Sequence, residues 1–104
     1  MAVRQSRYLL RRSPMTHIRL RNNVHHTSFE DGTGVLLDGR SGTYWQLNAT
    51  ANRVLAERTS GKSTEQVAHE IAGPGNSELS SIVRDDIRSL VGQLVSAKLV
   101  ERCA

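Results

Sequence analysis

Only one cysteine occurs among the 104 residues, Cys103, next to the C-terminal position. The chain therefore cannot close a disulfide on itself, and a tetrahedral zinc site would lack its usual thiolates. Aromatic residues are nearly as scarce: Tyr8, Phe29, Tyr44 and Trp45 are the full set. The core must rest on Leu, Val and Ile, which disfavours a large enclosed cofactor pocket, so neither cofactor nor metal is expected. No segment approaches the roughly 18 apolar residues of a membrane span. The start offers only Tyr8-Leu9-Leu10 as an apolar stretch, too short for a secretory signal. A cytoplasmic protein with no membrane partner is expected. Acidic residues are absent from the first 21 positions, where six Arg give +6, while the remainder sums to −2. A phosphate reader concentrates positive charge on its folded face, and this chain does not.

What is present divides at about residue 16. Residues 1–16 show no period and contain Pro14, which predicts a disordered basic arm ahead of one domain over 17–104. The pattern turns extended from His17, and Val24 to Phe29 reads as a first strand. Glu30-Asp31-Gly32-Thr33-Gly34 is a turn cluster, Val35 to Asp38 a second strand, and Gly39-Arg40-Ser41-Gly42 another turn before a third strand, Thr43 to Leu47. Short turns force antiparallel neighbours, so a simple meander leaves that third strand on an edge. It carries neither Lys nor Pro, the residues that normally blunt an edge. An open edge invites an extended peptide to add as a further strand.

Three helices follow. Asn48 is a suitable N-cap for a helix over Ala49 to Arg58, and Ser63-Thr64-Glu65-Gln66 has the form of a capping box. Gly73-Pro74-Gly75 ends the second helix. The third, about Glu78 to Lys98, repeats Leu79, Ile82, Val83, Ile87, Leu90, Val91 and Leu94 at spacings of three, four and seven. That stripe is wider than helix packing alone needs. Leu99-Val100-Glu101 reads as a short returning strand. The expectation is an α+β, winged helix-turn-helix-like domain with a three-stranded antiparallel sheet followed by three helices.

Catalytic constellations are missing. His25 and His26 are adjacent on a strand and point to opposite faces, and His69 reads as a surface residue. Asp85 and Asp86 diverge by about 100° on a helix and cannot form a dyad. Asp86, at the margin of the apolar stripe, is the more interesting of the two. None of the common hydrolase, protease or nucleotide-binding motifs occurs, so no enzyme and no catalytic residue are expected. Tyr44 and Trp45 face opposite ways and one of the two faces must meet the helices; Trp45 in the core with Tyr44 lining a groove is one assignment, and the sequence leaves the choice open. A winged-helix DNA-binding regulator is the alternative from another class. It is disfavoured because Lys62, Arg84, Arg88 and Lys98 are matched by Glu65, Glu70, Glu78, Asp85 and Asp86.

The run Val35-Leu36-Leu37-Asp38-x-Arg40-x-Gly42-x-Tyr44-Trp45-Gln46-Leu47-Asn48, followed by Ala49-Thr50-Ala51-Asn52-Arg53-Val54-Leu55, resembles PqqD-like proteins, the leader-recognition elements of ribosomally made, modified peptides. Ser63 to Ile71 and Val83 to Val100 extend the resemblance over about residues 18–101. Within that family it is most like the free-standing leader-binding proteins of lasso peptide biosynthesis. Ala49 stands where relatives often carry Pro, and either residue starts a helix. The resemblance implies a precursor leader peptide as partner, anchored by an aromatic or Pro and an aliphatic residue. It would be presented to a leader-cleaving cysteine-type protease and an ATP-dependent cyclase, with no nucleic acid involved. It implies Thr43, Tyr44, Trp45, Gln46 and Leu47 on the third strand, and Val83, Asp86, Ile87 and Leu90 on the last helix, as the leader-binding residues. On that reading Ile87→Asp should weaken leader binding and spare the fold.

Overall fold

The computed structural model describes residues 17–103, so the basic arm expected over 1–16 lies outside the described residues. The elements run β1 (His17–Leu20), β2 (Val24–Ser28), β3 (Gly34–Asp38), β4 (Tyr44–Leu47), α1 (Ala49–Thr59), α2 (Thr64–Ala72), α3 (Ser77–Ser96) and β5 (Val100–Cys103). This is an α+β arrangement with a three-stranded antiparallel sheet ordered β2-β3-β4 and three helices. One part differs from expectation. His17–Leu20 is a separate strand that pairs antiparallel with β5, His17 opposite Cys103 and Leu20 opposite Val100, making a second, two-stranded sheet.

Local chemistry sets each boundary. Asn48 caps α1, its Oδ1 accepting the Ala51 N–H at 2.8 Å, and Ser63 Oγ caps α2 by accepting the Gln66 N–H at 3.1 Å. Asp38 Oδ1 accepts both the Asn23 Nδ2–H at 2.7 Å and the Arg40 N–H at 2.9 Å, which pins the β3–β4 turn. Those bonds hold the Asp38 carboxyl below the usual carboxylate range, the Asn23 side chain contributing most.

Helix α3 ends in a Schellman motif: Leu99 N–H donates to Leu94 O and Lys98 N–H to Val95 O, both at 3.0 Å. Lys98 occupies the left-handed position of that motif at φ 62°, where glycine is the strain-free choice. Lys98→Gly is therefore expected to stabilise the domain by about 0.5–1 kcal/mol, part of the relief being offset by glycine's larger unfolded-state entropy. A thermal melt should rise by roughly 2–8 °C. An unchanged or lower midpoint would contradict the assignment of strain to Lys98.

Helix α1 lies between two apolar clusters. Leu55 joins Val24, Leu36, Leu47, Leu94, Leu99 and Val100, beneath the larger sheet and against the end of α3. Val54 joins Ile18, Val67, Ala68, Ile87 and Val91, where β1, α2 and α3 meet. Leu90 and Val95 border both clusters. Helix α3 packs chiefly on α2 and also on β5; it does not pack closely on β4. Among the described residues, no helix is long and apolar enough to cross a membrane.

Candidate functional site

Among the described residues β4 pairs with β3 alone, with Leu36 opposite Trp45 and Leu37 opposite Tyr44. Asp38 N–H donates to Thr43 O at 2.8 Å. Antiparallel ladders alternate, so every second residue turns its main-chain groups to the partner strand and the next turns them away. Counting from the Asp38–Thr43 bond, Trp45 and Leu47 address β3. Tyr44 and Gln46 direct N–H and C=O outward, along the free edge. Thr43 itself sits just before β4, its N–H bonded to Ser41 Oγ at 3.2 Å.

Side chains alternate as well. Trp45 and Leu47 share the face of Leu36, which meets the helices, and Leu47 is buried. Trp45 nevertheless remains 44% exposed, because α3 does not close over it. Tyr44 is 63% exposed on the opposite face. Of the two faces left open by the sequence, that of Trp45 is the one on the helix side, and Trp45 is only half covered there.

Beyond β4, the start of α1 and the exposed flank of α3 bound a cavity of about 270 Å³. It is lined by Asn48, Thr50, Ala51, Val54, Ile71, Val83, Asp86, Ile87 and Leu90. The structure brings all four residues expected on the last helix to this one groove. They differ in access. Val83 and Leu90 are half-buried, Asp86 is exposed on the rim, and Ile87 forms the floor at 2% exposure. Leu79 and Ile82 continue the uncovered apolar side of α3. Among the described residues Asp86 is the one charged lining residue, and it has no ion-pair partner among them. Neighbouring charges are satisfied: Arg88 reaches Glu65 at 3.2 Å and Asp85 at 3.8 Å, and Lys62 reaches Glu70 at 2.9 Å.

Sequence reading overlooked Asn52. This buried residue of α1 donates from Nδ2 to Gly32 O at 2.9 Å, and its Oδ1 lies 2.5 Å from His26 Nε2. Gly32 O only accepts, so Nδ2 must face it. The Oδ1 therefore faces His26, whose Nε2 must carry the proton. Ser28 Oγ completes the cluster, accepting from Nδ2 at 3.1 Å. These bonds tie α1 to the β2–β3 hairpin, and β3 in turn supports β4. Gly34 permits the approach, since a Cβ there would stand 2.0 Å from Asn52 Oδ1. Asn52→Ala should cost about 1–3 kcal/mol by removing the side-chain bonds to His26, Ser28 and Gly32, whose own groups keep some access to water. A urea midpoint indistinguishable from wild type would contradict this.

The family model for coenzyme PQQ synthesis protein D (PqqD) matches residues 33–100, from the β2–β3 turn to the start of β5. The chain belongs to the PqqD family. Among solved structures, the PqqD-family chain is similar to one described as lasso peptide synthetase B1 complexed with the leader peptide. The two share 33% identity over 82% of this chain and 98% of that one, with a TM-score of 0.70. It is also similar to TbiB1 in complex with the TbiA(beta) leader peptide, at 24% identity over 83% of this chain and 98% of that one, with a TM-score of 0.68. The second likeness bears on the fold alone. No curated protein matches the chain significantly.

Proposed function

We propose that this PqqD-family protein is a non-catalytic, cytoplasmic binding module that captures the leader segment of a ribosomally made precursor peptide. The leader adds as a strand beside β4, with its anchoring side chains in the groove against α3. The observation that carries the reading is a β4 edge that no other described residue pairs with, directly beside an apolar groove. Identity of 33% to a lasso peptide synthetase B1 solved with a leader peptide supports it and points to a lasso-type pathway.

The energetics suit a sequence-selective but modest binder. Main-chain bonds from Tyr44 and Gln46 contribute about 0.5–1.5 kcal/mol each and are indifferent to guest sequence. An aliphatic anchor buried in the groove adds about 1.5–3 kcal/mol, which is where selectivity arises. A leader that is disordered when free loses ordering entropy on binding, so it needs such anchors. On this reading residues 17–104 form the leader-binding domain, and the strands with the α1–α2 pair serve as a winged helix-turn-helix-like scaffold turned to peptide rather than DNA. Held this way, the precursor is delivered to the leader-cleaving cysteine-type protease and the ATP-dependent cyclase of the pathway, raising its effective concentration at both. The ion pairs of Arg88 and Lys62 support the peptide reading over a DNA-binding one, since they leave those cations engaged with carboxylates.

Fluorescence polarisation with a labelled synthetic leader, taken from the precursor encoded beside this chain, tests the proposal. Saturable binding that survives a salt titration is expected. Absence of saturation, or affinity for duplex DNA that falls steeply with salt, would defeat it.

A further inference from the structure

The solvent side of α3 is apolar along its middle and acidic along its edge. We propose that residues 7–12 of this chain, Arg7-Tyr8-Leu9-Leu10-Arg11-Arg12, dock there and compete with a leader peptide for the groove. The competition rests on the leader-binding reading above; the docking does not.

Leu79, Ile82, Val83, Asp86 and Leu90 recur at three, four and seven residues and so form one stripe along the helix. Leu79 and Ile82 are exposed, and Val83 and Leu90 carry the stripe into the groove. Glu78, Asp85 and Asp86 are exposed at its margin. Glu78 and Asp86 have no ion-pair partner among the described residues. Arg84 and Arg88, the cations of α3, fall on the opposite side of the helix by its 100° step, and no cation lines the groove. A surface of this kind fits a segment of the converse pattern, apolar residues between cations.

Charge, composition and reach point to this occupant. The segment before β1 holds Arg4, Arg7, Arg11 and Arg12 and no acid. Its run Tyr8-Leu9-Leu10 is bracketed by three of those cations, as the stripe on α3 is bracketed by carboxylates. The chain enters β1 at His17, and Ile18 packs in one cluster with Val54 and Ile87, which line the groove. The steps from Leu10 to His17 span up to about 23–25 Å, roughly twice the width of a helix. A tether of that length reaches the flank and keeps the segment at roughly millimolar effective concentration. A leader then meets only the fraction of molecules whose groove is open, and its apparent affinity falls by that fraction.

The full chain tests this, as wild type, as Leu9→Asp/Leu10→Asp and as Arg7→Glu/Arg11→Glu/Arg12→Glu. Amide nitrogen–proton correlation spectra are compared without any peptide, and polarisation is then read with the fluorescein-labelled synthetic leader. Both variants should differ from wild type at Leu79, Ile82, Val83 and Asp86 and agree with it along β2 and β3, at every protein concentration. The leader should bind both variants about threefold to tenfold more tightly than wild type, as for a groove closed in roughly two-thirds to nine-tenths of molecules. Superimposable α3 signals in all three proteins would overturn the docking. Differences that appear only as protein concentration rises would also overturn it, by assigning the segment to a second copy. Equal leader affinity in all three, with the α3 differences present, would overturn the competition. Failure of all three to bind the leader would instead defeat the leader-binding reading, and the α3 signals would still decide the docking.

Discussion

Gln46→Pro is expected to remove leader binding and leave the domain folded. The N–H of Gln46 points away from β3, toward the free edge, so proline deletes a group that the sheet does not use. Proline is tolerated on edge strands for that reason. The preceding residue, Trp45, already has the extended backbone that a following proline favours. A guest strand, however, would lose a hydrogen-bond donor, bury a carbonyl without a partner and meet the pyrrolidine ring. An unsatisfied buried acceptor costs about 1–3 kcal/mol, or roughly 5- to 150-fold in affinity before the steric term. Gln46→Ala keeps the N–H and should lose far less. Trp45→Pro supplies the opposite control, because its N–H faces β3 and its loss should unfold the sheet edge. Polarisation binding curves and circular dichroism on the three variants make the comparison. Wild-type affinity for Gln46→Pro would show that no guest pairs with this edge.

Ile87→Asp should abolish the folded state. Ile87 packs with Ile18, Val54, Val67, Ala68 and Val91, where β1 and all three helices converge. An unpaired carboxylate at that point costs upward of about 4 kcal/mol, against a total stability of about 5–15 kcal/mol for a domain of this kind. The expectation drawn from sequence, that this change spares the fold, is corrected by the burial of the side chain. Ile87→Val should cost only about 0.5–1.5 kcal/mol. A cooperative melt near the wild-type midpoint for Ile87→Asp would contradict the core assignment. Val83, half-buried on the groove side of the same helix, is the better position at which to separate binding from folding.

The error over Ile87 shows what periodicity can resolve. Spacings of three and four establish that α3 is apolar along one side, and the excess width of that side was legible. They do not tell the centre of the stripe from its flank, because that depends on where α1 and α2 lie. The hairpin turns, Asn48 and Ser63 as caps, and the edge position of β4 were legible because each is fixed by neighbours in sequence. The β1–β5 sheet was not, since His17 pairs with Cys103 across nearly the whole chain and each strand has four residues. Asn52 was hidden for a related reason: nothing local distinguishes a helical asparagine facing solvent from one that binds a distant hairpin. For Trp45, the alternation along β4 placed it with Leu47. Its half exposure follows only from the gap between β4 and α3.

Amide hydrogen exchange along β4, read residue by residue with and without the labelled leader, tests the pairing most directly. In the free protein the outward N–H groups of Tyr44 and Gln46 should exchange fast, while that of Trp45, turned to β3, is already protected. Saturating leader should slow Tyr44 and Gln46 by at least about tenfold and change Trp45 little. Rates at Tyr44 and Gln46 that ignore a bound leader would mean that the peptide is held elsewhere.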